Sequence, residues 1–147
     1  MPSPRDLVER FRSIHDELMQ GMPFVHPHLE VEAVGFSPWE EHELGVLIAP
    51  WFMNLVLLPC STHYDGLPQG HEVEFRFPSG PCDFAVNQDE IVGTYLSAVL
   101  FRTVINFPSQ SFAREVALEA LKSLFALPPV DAPKISRRDI LKGRRPS

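Results

Sequence analysis

Several features that would point to familiar classes of protein are missing from this 147-residue chain. It has no Gly-x-Ser-x-Gly nucleophile motif and no glycine-rich phosphate-binding loop, which excludes the commonest hydrolase and nucleotide-binding patterns. Its longest apolar run is too short, and too interrupted by proline, for a membrane helix of about 20 residues. Only Cys60 and Cys82 are present, and no apolar secretory segment follows the N-terminus. We therefore expect a cytoplasmic protein with free thiols.

The charge is unevenly distributed along a chain whose net charge is −6. Residues 134–147 carry six lysines or arginines against Asp139 alone, a net charge of +5, which leaves −11 for the rest. So acidic a body is a poor partner for nucleic acid. Its acidic cluster could receive arginine side chains, or it could be an ordinary solvated surface; the cluster comprises Glu30, Glu32, Glu40, Glu41 and Glu43.

The strongest pattern is an apolar run from Val46 to Leu58, in which Asn54 is the only polar side chain. Because the run does not alternate, it predicts two buried strands, 44–49 and 52–58, with a bend at Ala49-Pro50-Trp51. The bend is either a kink in the core, with Asn54 satisfying the amides that Pro50 exposes, or a partner-binding ledge. A ledge would combine aromatic contact area, an adaptable methionine and an amide that can pair with extended backbone. Its residues would be Pro50, Trp51, Phe52, Met53 and Asn54.

The rest of the chain predicts an α+β fold. Ser3-Pro4 starts one helix, which Gly21 and Pro23 end, and Ser109 caps a second, which Pro128-Pro129 stops. Apolar–polar alternation predicts further strands at 29–34, 71–77 and 82–86, with another around 97–103 and a polar loop at 37–43. We predict a single domain over 1–127, an antiparallel sheet flanked by an N-terminal and a C-terminal helix. A proline-rich linker and flexible basic tail follow over 128–147.

The tail contains a segment, Ser136-Arg-Arg-Asp-Ile-Leu-Lys142, that resembles the twin-arginine export motif Ser-Arg-Arg-x-Phe-Leu-Lys. No apolar region follows it, so we do not expect it to act as an export signal. We interpret it as a signal mimic that occupies a groove on the protein itself or presents a decoy to a shared partner. The residues involved would be Ser136, Arg137, Arg138, Leu141 and Lys142. A solvated basic tail is the plain alternative.

Metal binding and catalysis have weaker support. Cys60 and His63 have the best spacing for metal ligands, but no second pair accompanies them, and Cys82 joins only if the sheet places it nearby. The motif His26-Pro27-His28 reads as loop histidines. We predict no metal, no cofactor and no catalytic residue. The alternatives are a metal-handling accessory protein that uses the Cys-x-x-His loop for nickel or zinc, and a small hydrolase with a Cys-His pair.

Five segments of the chain resemble the HybE/HupJ family of accessory chaperones for nickel-iron hydrogenase assembly: 34–36, 45–59, 75–80, 95–101 and 121–125. At 97–101 this chain reads Ser-Ala-Val-Leu-Phe where the family tends to read Ser-Cys-Ser-Leu-Phe, so no role for a cysteine carries over. The resemblance implies a cytoplasmic chaperone, without turnover or membrane insertion. It would hold an immature large or small subunit until cofactors are inserted and export is allowed. Hydrogenase small subunits carry a real twin-arginine signal peptide, which would also be a partner.

Overall fold

The computed structural model describes residues 2–127, which form one antiparallel sheet with a helix packed on each face. Its elements are α1 (Pro4–Ile14), β1 (Glu32–Trp39), β2 (His42–Ala49), β3 (Phe52–Pro59), β4 (Glu72–Phe77), β5 (Gly80–Asp89), β6 (Gly93–Phe101) and α2 (Gln110–Leu124). The strand order across the sheet is β1-β2-β3-β6-β5-β4. The predicted fold class is confirmed. No helix within residues 2–127 is long and apolar enough to cross a membrane.

The two central strands predicted from the apolar run are confirmed, and their composition follows from their position. Side chains of β2 and β3 alternate between two separate cores, so both faces of each strand are covered. On the α2 side the core includes Val46, Ile48, Met53, Leu55 and Leu57. On the α1 side it includes Leu7, Leu47, Ala49, Val56 and Leu58.

Both helices begin where the sequence predicts. The Ser3 hydroxyl accepts a hydrogen bond from Asp6 N (3.2 Å), and the Ser109 hydroxyl accepts one from Phe112 N (3.1 Å). The first helix differs from its predicted extent, because regular α geometry ends at Ile14. A π-helical turn, His15–Met19, follows before the chain turns at Gly21 with φ of +84°.

The predicted polar loop at 37–43 is wrong. Strand β1 continues through Pro38 to Trp39 and pairs with β2 down to His42, so only Glu40 and Glu41 form the turn. Proline is tolerated there because β1 is an edge strand, whose outward-facing positions need no backbone donor. Strand β6 likewise begins four residues before the predicted 97–103, at Gly93.

Two glycines, Gly35 and Gly45, are required at or beside a β-bulge between β1 and β2. Both belong to segments that carried the family resemblance. The β1–β2 register shifts between Val34 and Ser37, where Gly35 has φ of +69°. A Cβ on Gly35 would lie 2.6 Å from Leu121 of α2, and one on Gly45 would lie 2.3 Å from the ring of Phe36. Glycine at both positions therefore lets a helix and an aromatic ring approach the sheet closely.

The sheet curls until its two edge strands approach each other at one end. The indole of Trp39 on β1 stacks on Phe77 of β4, with ring centroids 4.4 Å apart and planes 18° apart. These strands are first and last in the sheet, so the contact spans its whole width. The C-terminus of α2 reaches the same place: Phe125 lies edge-on to Phe77 (5.9 Å), and Ser79 N donates to Leu124 O (3.0 Å).

Candidate functional site

The ledge predicted from the sequence lies at the turn between β2 and β3, at one end of the sheet. Pro50 and Met53 are buried, and Met53 is 0% exposed within the core on the α2 side. Trp51, Phe52 and Asn54 retain partial exposure. The five residues thus divide into two that support the turn and three that reach the surface, and Met53 is not accessible to a partner in this structure.

Helix α1 covers much of the aromatic surface of the turn. The ring of Phe11 lies edge-on to Phe52 at 5.5 Å, and its centroid is 6.3 Å from that of Trp51. The His15 ring, in the π-helical turn, stacks on Trp51 with centroids 6.0 Å apart and planes 13° apart. The turn is therefore a packed corner between sheet and helix, with Trp51 at its outer rim.

The amide of Asn54 does not have the bonding expected of a core kink. Its Oδ1 is enclosed and has no hydrogen-bond partner among residues 2–127. The backbone carbonyl of Pro50 has a different partner, since Pro50 O accepts a hydrogen bond from His26 N at 2.8 Å. Asn54 lies opposite Val99 of β6, which is 55% exposed. The Oδ1 atom of Asn54, which has no hydrogen-bond donor among the described residues, thus lies near exposed apolar surface.

Six exposed apolar side chains lie on segments that contact this turn or its strands, and we call them together the apolar end: Leu18, Met22, Phe24, Val99, Phe101 and Phe112. They come from the segment after α1, from β6 and from the start of α2. Phe107 joins the last two by edge-on contacts of 5.2 Å with Phe101 and with Phe112. Sequence reasoning missed these residues because they are scattered along the chain, and only the fold brings their segments to one end of the sheet.

His26 ties the apolar end together through backbone contacts. Its Nδ1 accepts hydrogen bonds from His28 N (3.0 Å) and Leu29 N (3.2 Å), which leaves the ring hydrogen on Nε2 to donate to Phe107 O (2.8 Å). Because both ring nitrogens are used, this histidine is structural. Its bonds hold the 20–30 loop against the segment that follows β6.

The described residues give no geometric support to the metal-binding and catalytic alternatives. Cys60 and His63 are both exposed, and Cys82 lies on β5, so the sheet does not assemble a wider donor set around them. Within residues 2–127, no three His, Cys, Asp or Glu side chains converge as a metal site. Burial raises the pKa of the Cys82 thiol, helped by the charge of Asp83, which disfavours the reactive thiolate.

At the opposite end of the sheet, the approach of the two edge strands creates a groove of about 420 Å³, which we call the acidic groove. Its lining residues are Trp39, Glu40, Glu41, His42, Glu74, Phe75 and Arg76. Sequence reasoning missed it, because 37–43 was expected to be a loop and only the curl of the sheet brings that segment to β4. The one local sequence feature that could have indicated a binding groove is the combination of tryptophan, glutamate and histidine at 39–42.

His42 is the buried polar residue of the groove, with 7% of its surface exposed. Its Nε2 pairs with Tyr64 Oη at 3.2 Å, while Nδ1 has no hydrogen bond of good geometry among residues 2–127. Burial lowers the pKa of His42, although the Trp39 backbone and the Glu41 and Glu40 carboxylates oppose that shift. The ring is therefore favoured in its uncharged form.

The acidic cluster predicted from the sequence is divided in the structure. Glu32 accepts two hydrogen bonds from Arg114 Nε (2.9 and 2.8 Å) and one from the amide of Gln110 (2.8 Å). It therefore anchors α2 to the sheet. Glu40 and Glu41 have no salt-bridge partner within the described part of the chain, and both line the groove. The signal-mimic residues 136–142 lie outside the described residues.

Comparison with known proteins identifies relatives of this chain. Residues 3–143 match the family model described as NiFe-hydrogenase assembly chaperone HybE. The chain is 38% identical to Protein HoxT of Cupriavidus necator, over 96% of this chain and 88% of that protein. It is 40% identical to the probable rubredoxin HupJ of Rhodobacter capsulatus over 81% of this chain, but it spans only 43% of that relative's length. The solution structure of HybE from Escherichia coli superposes with a TM-score of 0.65 and 25% identity, covering 98% of this chain and 91% of that one.

Proposed function

The chain belongs to the HybE family of nickel-iron hydrogenase assembly chaperones, and on that premise we propose that its apolar end binds an immature hydrogenase subunit. The cytoplasm is the compartment in which this would happen, before any export. The partner would be a large or small subunit precursor. The single observation that carries the proposal is that segments meeting near the β2–β3 turn carry exposed apolar side chains.

The apolar end is suited to a client that has not finished folding. Phe24 is 50% exposed, Phe101 37% and Phe112 41%, so three phenylalanines present ring surface that a protein without a partner would be expected to bury. An unfinished subunit exposes apolar segments of its own, and burial of both surfaces would provide the driving force. Aromatic side chains contribute most to such contacts.

Trp51 and Asn54 would add specificity at the rim of this surface. Trp51 lies on a support made by His15 and Phe11, so little conformational entropy is lost when a partner covers it. The unpaired Oδ1 of Asn54 would accept a backbone N–H from an extended client segment after a small side-chain adjustment. With Phe52, these are the members of the sequence-derived ledge that retain partial exposure.

The proposed mechanism is binding that distinguishes two states of one client. The chaperone would bind the subunit while apolar surface is exposed and release it once cofactor insertion and folding bury that surface. A difference in affinity between the two states is sufficient, because a ligand shifts an equilibrium by its differential binding. No catalytic step is proposed. Through the family's clients, a twin-arginine signal peptide would be a further ligand.

A binding titration with matched variants tests the proposal. The purified chain would be titrated with the immature large subunit and, separately, with the small subunit precursor. Phe101→Ser should weaken binding by at least about tenfold, because a buried phenylalanine contributes about 1.5–3 kcal/mol. Phe24→Ser should act in the same direction from a different segment of the chain.

The control is Ile91→Ser, because Ile91 is 72% exposed and lies in the turn between β5 and β6, at the other end of the sheet. Its affinity for either subunit should equal that of the unmodified chain. Equal weakening by all three substitutions would indicate a general solubility effect. Undiminished binding by the two phenylalanine variants would rule out the apolar end as the client surface.

A further inference from the structure

The acidic groove is bordered by two strand edges that have no neighbour in the sheet. Strand β1 is the first strand and β4 the last, so one side of each backbone has no ladder partner among residues 2–127. Trp39 to His42 line one wall, and Glu74 to Arg76 line the other. On the β4 wall, an extended segment would lie along an unpaired strand edge, which is how peptides add to sheets.

The charge of the groove selects a basic occupant. Glu40, Glu41 and Glu74 face a single cation, Arg76, whose contact with Glu74 is long (3.7 Å) and well exposed. The other two carboxylates form no salt bridge in the described part of the chain. An arginine is the side chain that best satisfies paired carboxylates, because its guanidinium donates two parallel hydrogen bonds.

The aromatic walls favour arginine over lysine and accommodate apolar neighbours. Trp39 and Phe75 lie 6.1 Å apart in an edge-on arrangement, with His42 edge-on to Phe75 at 5.3 Å. A planar guanidinium packs against aromatic side chains more favourably than a compact ammonium, which is hydrated more strongly. The Nδ1 atom of His42, a residue that is more than nine-tenths buried, has no hydrogen-bond partner of good geometry among residues 2–127. The groove therefore has a polar group that its own residues leave unsatisfied.

The C-terminal part of this chain contains a basic segment that is close enough in sequence to reach the groove. Helix α2 ends beside Phe77, which stacks on Trp39, so residue 127 leaves the described structure close to the groove. Arg137 follows ten residues later, and ten extended residues span about 33 Å, so reach is ample. Residues 134–142 combine four cations with Ile140 and Leu141.

We propose that the acidic groove is the docking site of the chain's own segment 134–142, bound in cis. Arg137 and Arg138 pair with Glu40, Glu41 and Glu74, and the apolar residues that follow lie against the aromatic walls. This inference does not rest on the hydrogenase assignment, because the occupant is this same chain. Its consequence is competition: any other arginine-containing extended segment reaches the groove only by displacing the tail.

The test uses the full-length chain and its amide and indole NMR spectrum. Replacing Arg137 and Arg138 by glutamine (R137Q/R138Q) should shift the Trp39 indole resonance and the amides of Glu40, Glu41 and Phe75. The ratio of docked to free tail should fall about tenfold, as expected for two surface ion pairs with cation–π contacts. Raising the salt from about 0.15 M to 1 M, which shortens the screening length from about 8 to 3 Å, should reproduce the change.

The matched control is R144Q/R145Q, which removes the same charge from the same tail outside the proposed segment. It should leave the groove resonances nearly unchanged. Equal shifts from both double variants would reduce the effect to diffuse attraction and overturn the proposal. The absence of groove shifts in R137Q/R138Q would do the same. Shifts that grow with protein concentration would show that the tail occupies a second copy, which contradicts docking in cis.

Glu40 permits the reciprocal test from the groove side. It has φ of +56°, a conformation that glycine adopts without strain, so Glu40→Gly should remove the charge while preserving the turn. This variant should free the tail while the fold is retained. Glu119→Gln, an exposed change of equal charge on α2, should not affect the tail. A tail that remains docked in Glu40→Gly with Glu41→Gln added would exclude the groove.

Discussion

The two tryptophans of this chain lie at opposite ends of one sheet, in contrasting surroundings. Trp51 lies at the β2–β3 turn, supported by Phe11 and His15 and surrounded by apolar surface. Trp39 lies between two strand edges, stacked on Phe77 and beside carboxylates. The first setting suits an apolar client and the second suits a basic segment. One small domain can thus present two surfaces that do not compete for the same chemistry.

The apolar end depends on the core below it, and a core substitution should show this most strongly. Met53 is 0% exposed and pairs with Phe101 across the β3–β6 ladder. Met53→Ala should lower the free energy of unfolding by about 2–5 kcal/mol, because it leaves a cavity. Denaturant titration measures this loss. A loss below about 1 kcal/mol would mean that the core on the α2 side is not closely packed here.

Trp51 should have a smaller effect on stability and a separate effect on binding. Trp51→Ala removes contacts with His15, Phe11 and Phe52, yet the side chain is only partly buried, so we expect a loss of about 1–3 kcal/mol. With the fold retained, affinity for the immature subunit should also fall. Trp39→Ala is the comparison, since it should leave affinity for the immature large subunit unchanged. Loss of subunit affinity in both variants would remove the distinction between the two ends.

Attachment of α1 to the sheet can be weakened through one carboxylate. Asp89 accepts hydrogen bonds from Arg10 Nε (3.1 Å) and from the amides of Ile91 (3.0 Å) and Val92 (2.8 Å). Burial raises the pKa of Asp89, but these hydrogen bonds and the charge of Arg10 outweigh burial, so its pKa is lowered overall. Asp89→Asn should cost about 1–2 kcal/mol at neutral pH.

The pH dependence of that loss follows from the sign of the shift. A carboxylate with a lowered pKa stabilises the folded state above the pKa of the unfolded chain, and this stabilisation is lost as the pH falls through the folded value. The difference between Asp89→Asn and the unmodified chain should therefore shrink in acid. A pH-independent difference, seen in thermal melts from neutral to strongly acid buffer, would argue against the ion pair.

Substitution of His42 in the acidic groove should have the smallest effect on stability, and that effect should appear in a different pH range. Because burial lowers the pKa of His42, the unfolded chain binds a proton more readily than the folded one just below pH 6.5. Stability should decline as the pH falls from 6.5 towards the lowered value, and His42→Phe should flatten that decline. Glu40, Glu41 and His63 lie nearby and act on the same ring. An unaltered slope in the variant would place the proton uptake elsewhere.

The sequence predicted the architecture better than it predicted the surfaces. Strands β2 and β3, the hairpin of β4 and β5 and both helix caps follow from local patterns, because burial on both faces, alternation and capping residues leave local signals. The ledge was predicted from the most apolar residues of the chain. Such residues tend to be buried in the core, as Met53 is, so apolarity alone does not identify a binding surface. The acidic groove depends on the curl of the sheet, which brings β1 to β4 and leaves no local signal.

The strand order also has a consequence for how the chain folds. Strands β1-β2-β3 and β4-β5-β6 each form a meander of neighbouring strands, and only the β3–β6 pairing joins segments distant in sequence, such as Asn54 and Val99. Closing that long loop is the step with the largest entropic cost, so we expect β3–β6 pairing to limit the folding rate. The connection between the meanders, residues 60–71, is largely exposed. If the chain is cleaved in this connection, the two fragments should reassociate through β3–β6 pairing.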